Sequence, residues 1–389
     1  MNGIIYDTSI PFREFMTAKG APYSDDRCRI SVFPFESTHH SFLLPEDRNI
    51  TENHRFTYLM AEPAHFSDAG FDDVLILIHG LNEGNSAKLF PWAYNLAHRL
   101  NMPVLIFPLA FHIDRRSSAW GFTSQVKLSG QRAAVPGNRK TSPFNALISH
   151  RLSEAPERFT RAGLQSYYDL IDLCDSISSG RHPRCRQGAA PHFLGYSAGG
   201  YLALNLMLSN PGIRFSDSRC VLFASGAKLA DMDSASIFIM DQEAGDRLTG
   251  FLGDRGYEKT IYDKEVGDRS EDPAYWMGEI LFGGSTMQER LQTISRRCLA
   301  IGGTNDRVIP LVGMSNNLSP LAVRRLDLGI HEFPFTMKGP LIEAYDRSLP
   351  ETRYIISTAR GSQRVPHPYR EAFGTFIAEV GNLVHRSSA

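Results

Sequence analysis

The chain has 389 residues, of which 42% are hydrophobic and 21% charged, with a formal net charge of −1. That length is ample for a sizeable core, and that composition excludes a mostly disordered chain. The near-zero charge excludes a strong field drawing nucleic acid or an anionic membrane to the whole molecule, so clusters such as Arg181, Arg184 and Arg186 read as solvated faces.

The first residues, MNGIIYDTSIPFREF, carry no basic stretch followed by a long apolar run, so no secretory leader is read there. Cys28–Phe35 and Arg55–Met60 are rich in β-branched and aromatic residues and predict two strands at one edge of a sheet. Val74–Ile78 is a continuous apolar run closed by His79-Gly80, the pattern of a strand buried on both faces. It is far too short to cross a bilayer. A helix over about 87–100 follows, with Leu89, Trp92, Leu96 and Leu100 on one side, and then an apolar strand at Pro103–Phe107. This β-α-β unit calls for a parallel pair with a right-handed crossover.

Residues 109–156 are polar and interrupted by Gly, Pro and Arg, and read as a long excursion outside the sheet. A helix over Phe159–Ser179 leads to a strand at Pro191–Leu194, a helix at Gly200–Leu208 and a strand at Cys220–Phe223. Residues 232–292 break the alternation and predict a helical insertion, a cap. Strands return at Arg297–Ile301 and Val323–Leu328, and the last helix spans about 369–384. The expected fold is α/β, a mostly parallel central sheet with helices on both faces. Residues 1–70 supply N-terminal edge strands, 71–231 and 293–389 the core, and 232–292 the cap. In such sheets the chemistry sits at the carboxyl ends of the strands.

The five cysteines are scattered without a CxxC pair, which argues against a zinc knuckle and a disulfide framework and fits a reduced, cytoplasmic location. Cys174, Cys220 and Cys298 read as small buried hydrophobes. His112 and Asp114 lack further ligands at metal-binding spacing, and no phosphate-cradling or dinucleotide fingerprint occurs, so no cofactor is expected.

The strongest signal is Gly195-Tyr196-Ser197-Ala198-Gly199, the G-x-S-x-G pattern between a strand and a helix. A strand that turns sharply into a helix leaves Ser197 at the apex, and side chains two residues either side of it would collide. The competing reading is a serine that merely caps the helix. A serine nucleophile needs a base, and in this pattern the acid and then the histidine follow it in the chain. Asp306 follows the strand and glycine turn of Cys298–Thr304. It is the candidate acid, its alternative role being a cap for a helix starting near Val308, and Asp231 is the reserve. His331 lies just past a strand, and His367 lies immediately before the last helix. Spacing favours His331 and proximity to the helix favours His367, and the reading takes His331. His385 lies in the terminal tail. The N–H groups of Leu81, in the turn after Val74–Ile78, and of Ala198, after the nucleophile, are the candidate oxyanion donors. His79-Gly80 alternatively makes only a tight turn.

On Leu77-Ile78-His79-Gly80-Leu81, Gly195–Gly199 and Gly303-Thr304-Asn305-Asp306-Arg307-Val308-Ile309-Pro310 the chain resembles the α/β-hydrolase superfamily from about residue 73 onward. The resemblance implies a serine hydrolase without cofactor that cleaves a small-molecule carboxylic ester or thioester. Acyl transfer, peptide cleavage and a non-catalytic binding role remain the alternatives. The long excursion and the distance from His331 to the final helix depart from the usual pattern. Arg115 and Arg116 in the excursion read either as binders of a substrate carboxylate or phosphate or as a surface salt-bridged loop.

Overall fold

The computed structural model describes residues 14–15, 22–65, 70–254, 269–328, 331, 333, 335–336, 339–340, 342–345, 354–357 and 367–385. One sheet organises them. Its strands are β1 (Tyr23–Ser24), β2 (Cys28–Glu36), β3 (Arg55–Pro63), β4 (Phe71–Ile78), β5 (Val104–Phe107), β6 (Cys185–Tyr196), β7 (Cys220–Phe223), β8 (Cys298–Gly303) and β9 (Ala322–Leu326). Their spatial order is β1-β2-β3-β5-β4-β6-β7-β8-β9. From β5 to β9 every neighbour is parallel, and β1, β2 and β3 add an antiparallel edge. The N-terminal strands expected at one edge therefore lie there, and β2 and β3 each run further than their apolar patterns suggested.

The parallel strands separate two apolar cores by simple alternation. Leu75 and Leu77 of β4, Leu194 of β6 and Val221 of β7 face one core, which is covered by α1 (Phe90–Leu100) and the last helix. Val74, Ile76 and Ile78, with Phe193 and Leu222, face the other. That second face is covered by α4 (Glu157–Ser178) and α5 (Ala198–Ser209). Burial on both sides is why these strands read as unbroken apolar runs. This is the α/β class, and the strand–elbow–helix unit at the centre of a mostly parallel sheet is the α/β-hydrolase arrangement.

Two regions differ from expectation. The excursion at 109–156 is not a bare loop, since it carries α2 (Phe122–Ala133) and α3 (Ala146–Glu154). The stretch expected as one cap, 232–292, divides. Its first helix, α6 (Gln242–Gly253), packs on α3. Leu152 of α3 with Met240, Leu248 and Leu252 forms a third apolar cluster apart from the sheet. Its later helices, α7 (Pro273–Phe282) and α8 (Ser285–Ile294), belong to the sheet's own covering layer. They bury Trp276, Ile280, Met287 and Leu291 in the second core. α6 and α8 are amphipathic and α7 is apolar nearly all round, and neither pattern says which surface the apolar residues meet. Residues 255–268 of the expected cap lie outside the described residues. After β8 come α9 (Leu311–Leu318) and finally α10 (His367–Val384).

The wall made by α2, α3 and α6 is tied at its base by charge. Arg132 of α2 donates through Nε and Nη2 to the two oxygens of Asp241, at 2.8 and 2.6 Å. Asp241 also caps α6 by accepting from the Ala244 N–H. Among the described residues no helix is long and apolar enough to cross a membrane. All five cysteines are free and buried. Of the basic cluster, Arg181 and Arg186 are exposed as expected, Arg186 pairing with Asp72 at 2.7 Å, whereas Arg184 is partly buried and pairs with the buried Glu62.

Candidate active site

Strand β4 lies between β5 and β6, so the chain leaves β4 and β6 side by side at the point where the strand order reverses. Such a switch point opens a crevice at the carboxyl ends of the strands. Ile78 pairs with Gly195 there, which sets the turn after β4 against the turn after β6. Gly80 packs so closely that a Cβ on it would come within 3.2 Å of Ser197 Cβ.

Ser197 sits between β6 and α5 with φ 52° and ψ −121°. A non-glycine residue reaches this region only when its surroundings hold it there. Its N–H donates to the Phe223 carbonyl of β7 at 3.0 Å. The neighbouring glycines are steric requirements. A Cβ on Gly195 would meet Gly199 O and Gly200 Cα at 2.5 Å, and one on Gly199 would strike the Ile78 carbonyl. Beneath the elbow, Trp92 of α1 stands edge-on to Tyr196, Phe223 and Phe376 with ring centroids 5.4 Å away.

Asp306, His331 and Ser197 form one hydrogen-bonded chain. His331 Nδ1 lies 2.8 Å from Asp306 Oδ2, and Nε2 lies 2.9 Å from Ser197 Oγ. A carboxylate only accepts, so the Nδ1 hydrogen points to Asp306 and Nε2 is left to accept from the serine hydroxyl. The other Asp306 oxygen accepts the N–H groups of Val308 and Ile309, at 2.9 and 3.1 Å. One Asp306 oxygen thus meets the His331 imidazole. The other does not cap a helix near Val308, because the N–H groups it accepts lie in a turn and α9 starts only at Leu311, after Pro310. Asp231 is exposed in the turn Leu229–Asp231 and does not reach His331. His367 opens α10, and its side chain lies outside those described. His385 is exposed near the C-terminus.

Ala198 is the first residue of α5, so its N–H has no acceptor within the helix. Leu81 follows Gly80 in the turn beside the serine. Both residues line a cavity with Ser197. Among the described residues neither N–H finds an acceptor.

Two histidines that the sequence did not assign fix this turn. His79 is fully buried, donates from Nδ1 to the Gly80 carbonyl at 2.7 Å and accepts the Leu109 N–H at 2.9 Å. His112 donates from Nδ1 to the Ala110 carbonyl at 2.8 Å and accepts the Asn82 N–H at 2.9 Å. Each ring needs one bare nitrogen for this, so both must be neutral. Burial, aided by His112, Lys88 and Arg115, pushes His79 well below the usual histidine range, and burial, aided by Arg116, Arg115 and Arg151, pushes His112 down to about 4. The sequence hinted at this only through the His79-Gly80 pair, since His112 becomes its neighbour through the fold. Asn82 extends the staple to the helical wall, donating to the Phe144 and Phe238 carbonyls at 2.9 and 2.6 Å.

The adjacent arginines of the excursion have separate fates. Arg115 is fully buried and pairs with the equally buried Asp169 at 2.8 Å, so it is structural. Arg116 stays half-buried and faces the cavities. One cavity, of about 260 Å³, has Ser197 on its surface and an apolar wall that includes Leu152, Phe159, Met240, Leu248 and Met277. The second, of about 480 Å³, is the more polar of the two, with a mixed wall in which Asn85, Lys88, Gln125, Arg307 and His331 stand beside Phe144 and Phe238. They share Ser197, Leu81, Asn82, Glu83, Arg116, Ile239 and Val308. Among the described residues no group of three or more His, Cys, Asp or Glu side chains is placed to hold a metal ion.

Solved structures similar to this one include vibralactone cyclase, with 11% identity over 96% of this chain and 85% of the other and a TM-score of 0.45. An S-formylglutathione hydrolase from Agrobacterium tumefaciens is 14% identical over 78% of this chain and 87% of its own, with a TM-score of 0.43. Carboxyl esterase 2 from the mycorrhizal fungus Tuber melanosporum is 14% identical over 79% and 78%, with a TM-score of 0.42. No curated protein matches the chain. A match that covers the N-terminal edge strands, the elbow, the Asp306 turn and His331 together does exist: residues 10–343 fit the model of a family of unknown function, DUF6051, and the chain belongs to that family.

Proposed function

We propose that this protein is a serine hydrolase that cleaves a carboxylic ester or thioester through an acyl-enzyme on Ser197. The observation that carries the reading is the continuous hydrogen-bonded chain from Asp306 through His331 to Ser197 Oγ. His331 Nε2 takes the hydroxyl proton as Oγ attacks the substrate carbonyl. Asp306 holds the ring in the right tautomer and stabilises the imidazolium that forms. The N–H groups of Leu81 and Ala198 receive the negative charge that develops on the carbonyl oxygen. The intermediate collapses, the bond to the leaving oxygen or sulfur breaks, and His331 returns the proton to that atom. Water, deprotonated by the same imidazole, then attacks the acyl carbonyl and regenerates the Ser197 hydroxyl.

The backbone strain at Ser197 supports this reading over a simple capping role, because a cap does not require a left-handed serine. The apolar cavity behind α3 and α6 suits an acyl chain, and its helices act as the lid. The test is covalent labelling with a fluorophosphonate probe, followed by intact mass. Wild type is expected to gain one adduct, Ser197→Ala none, and His331→Ala almost none at matched times. A folded wild type that never labels and hydrolyses no p-nitrophenyl ester overturns the reading.

A further inference from the structure

We infer that the hydrolysed ester carries an oxyanion, a carboxylate or a phosphate, on its leaving group, and that Arg116 binds it. This rests on reading Ser197 as the acyl-transfer nucleophile. Its evidence is separate and comes from the charges where the two cavities meet.

Two ionisable side chains other than the nucleophile stand at that junction, Glu83 and Arg116. Glu83 is buried and already neutralised by Lys88, whose Nζ lies 2.5 Å from its carboxylate. The guanidinium of Arg116 is different. Among the described residues no carboxylate, carbonyl or hydroxyl meets it. The nearby acids are committed elsewhere: Asp169 to Arg115, Asp114 to the Thr57 hydroxyl and Glu52 to the Ser118 N–H. Burial lowers the Arg116 affinity for its proton, and no neighbouring carboxylate offsets that. Arginine nonetheless stays charged, so an uncompensated cation remains on the walls of both cavities that Ser197 also lines.

Room has been left for it. A Cβ on Gly84 would fall 2.8 Å from Arg116 Nη1, so a side chain there would push the guanidinium tip aside. Arg151 and Arg158, which also line the apolar cavity, are held by carboxylates: both reach Asp47, at 3.1 and 3.0 Å, and Arg158 also reaches Glu46 at 3.0 Å and Glu154 at 3.6 Å. In the polar cavity Arg307 is exposed and adds a second positive charge. The apolar cavity accepts an uncharged chain. The group that points into the polar cavity is then the alcohol or thiol side of the ester, and its anion meets Arg116 in the bidentate geometry that guanidinium offers to carboxylate and phosphate.

The experiment compares three hexanoate esters, those of p-hydroxybenzamide, p-hydroxybenzoate and p-hydroxyphenyl phosphate. The benzamide ester is nearly matched in shape to the benzoate ester and lacks its charge. Wild type is expected to show kcat/KM about ten- to a hundredfold higher for at least one anionic ester than for the amide, the range a charge-assisted hydrogen bond supports. Which anionic ester is preferred separates carboxylate from phosphate. In Arg116→Gln that ratio is expected to fall towards one, with partial recovery in Arg116→Lys. Gly84→Ala, which displaces the guanidinium tip without removing its charge, is expected to lower the ratio by an intermediate amount. A ratio does not depend on the fraction of folded enzyme, so poor folding of a variant cannot imitate the result. A wild-type ratio near one, or an undiminished ratio in Arg116→Gln, overturns the inference.

Calorimetry of Ser197→Ala with p-hydroxybenzoate, p-hydroxyphenyl phosphate and p-hydroxybenzamide separates the two readings. Anion binding that disappears in Ser197→Ala/Arg116→Gln, with no ester hydrolysed by wild type, keeps the Arg116 site and removes the hydrolase. Ester hydrolysis without any Arg116-dependent anion preference does the reverse.

Discussion

Two polar centres flank the crevice, and they are built from similar parts to opposite ends. Behind it, Arg115 pairs with Asp169, donates to Asn53 Oδ1 at 3.0 Å and lies 4.2 Å from the centre of the Phe56 ring. Asn53 in turn donates to Gln165, and Gln165 to Ser37, at 2.8 and 3.0 Å. This centre is sealed, and it ties the N-terminal strands to the excursion and to α4. At the crevice, Asp306, His331 and Ser197 form a chain that ends on open space. Where a network closes on itself, its residues serve stability. Where it ends on a nucleophile facing a cavity, the last member is available for chemistry.

Removing that last member should have the largest effect. Ser197→Ala is expected to lower ester hydrolysis by about four orders of magnitude while shifting the melting temperature by no more than about 2 °C. Steady-state rates and a thermal melt check both halves. The sealed centre should behave in the opposite way. Asp169→Ala leaves Arg115 buried and unpaired, which is expected to cost about 3–5 kcal/mol in urea unfolding. Its kcat/KM, corrected for folded fraction, should stay within about threefold of wild type. A large loss of activity in correctly folded Asp169→Ala would erase the distinction between the two centres.

Protons give a smaller probe of the same contrast. His182 is sealed between Phe33 and Tyr58, with centroids 5.0 and 6.2 Å away, and accepts the Arg184 N–H at 3.2 Å. Burial, with a contribution from Arg184, pushes its pKa down to about 4. In the unfolded chain it titrates near 6.5, so between those values the unfolded state binds the extra proton. The stability from keeping it neutral is complete above about pH 6.5 and is lost as pH falls towards 4. Between about pH 7 and pH 5, wild type is expected to lose roughly 1–2 kcal/mol more than His182→Phe. Part of the slope remaining in the variant comes from His79, His98 and His112, which burial also holds below the usual histidine range. Equal slopes in the two proteins would mean that His182 is not sealed.

How much of this was legible in the sequence depended on how local each signal is. The elbow was fully legible, because a sharp strand-to-helix turn writes its steric needs into adjacent residues, Gly195, Gly199 and Gly200. The sheet was legible because strands buried on both faces cannot hide their apolarity. The geometry brings His331 beside Asp306, whereas in the sequence proximity to the last helix had kept His367 as a rival, since a loop histidine is placed by the fold around it. The split of residues 232–292 was not legible. Met240, Leu248, Trp276 and Ile280 are all apolar, and only contact decides which of them meet the sheet. The division of labour between Arg115 and Arg116 was equally hidden, because it depends on Asp169 of α4 reaching one arginine and not the other.

The helical wall offers the finest test of the comparison, since it separates the cavity from solvent without touching the reacting atoms. Leu248 of α6 is 5% exposed and lines the apolar cavity. Leu248→Phe adds volume there and is expected to cost about 1–2 kcal/mol of stability through overpacking. If the acyl chain lies behind α3 and α6, kcat/KM for p-nitrophenyl hexanoate should fall about tenfold relative to the acetate, which is too short to reach the added ring. If the acyl chain instead lay in the polar cavity, the hexanoate-to-acetate ratio would not change. The preference for an anionic leaving group would then have to be reassigned to the acyl side, because Arg116 stands at the junction and serves either cavity.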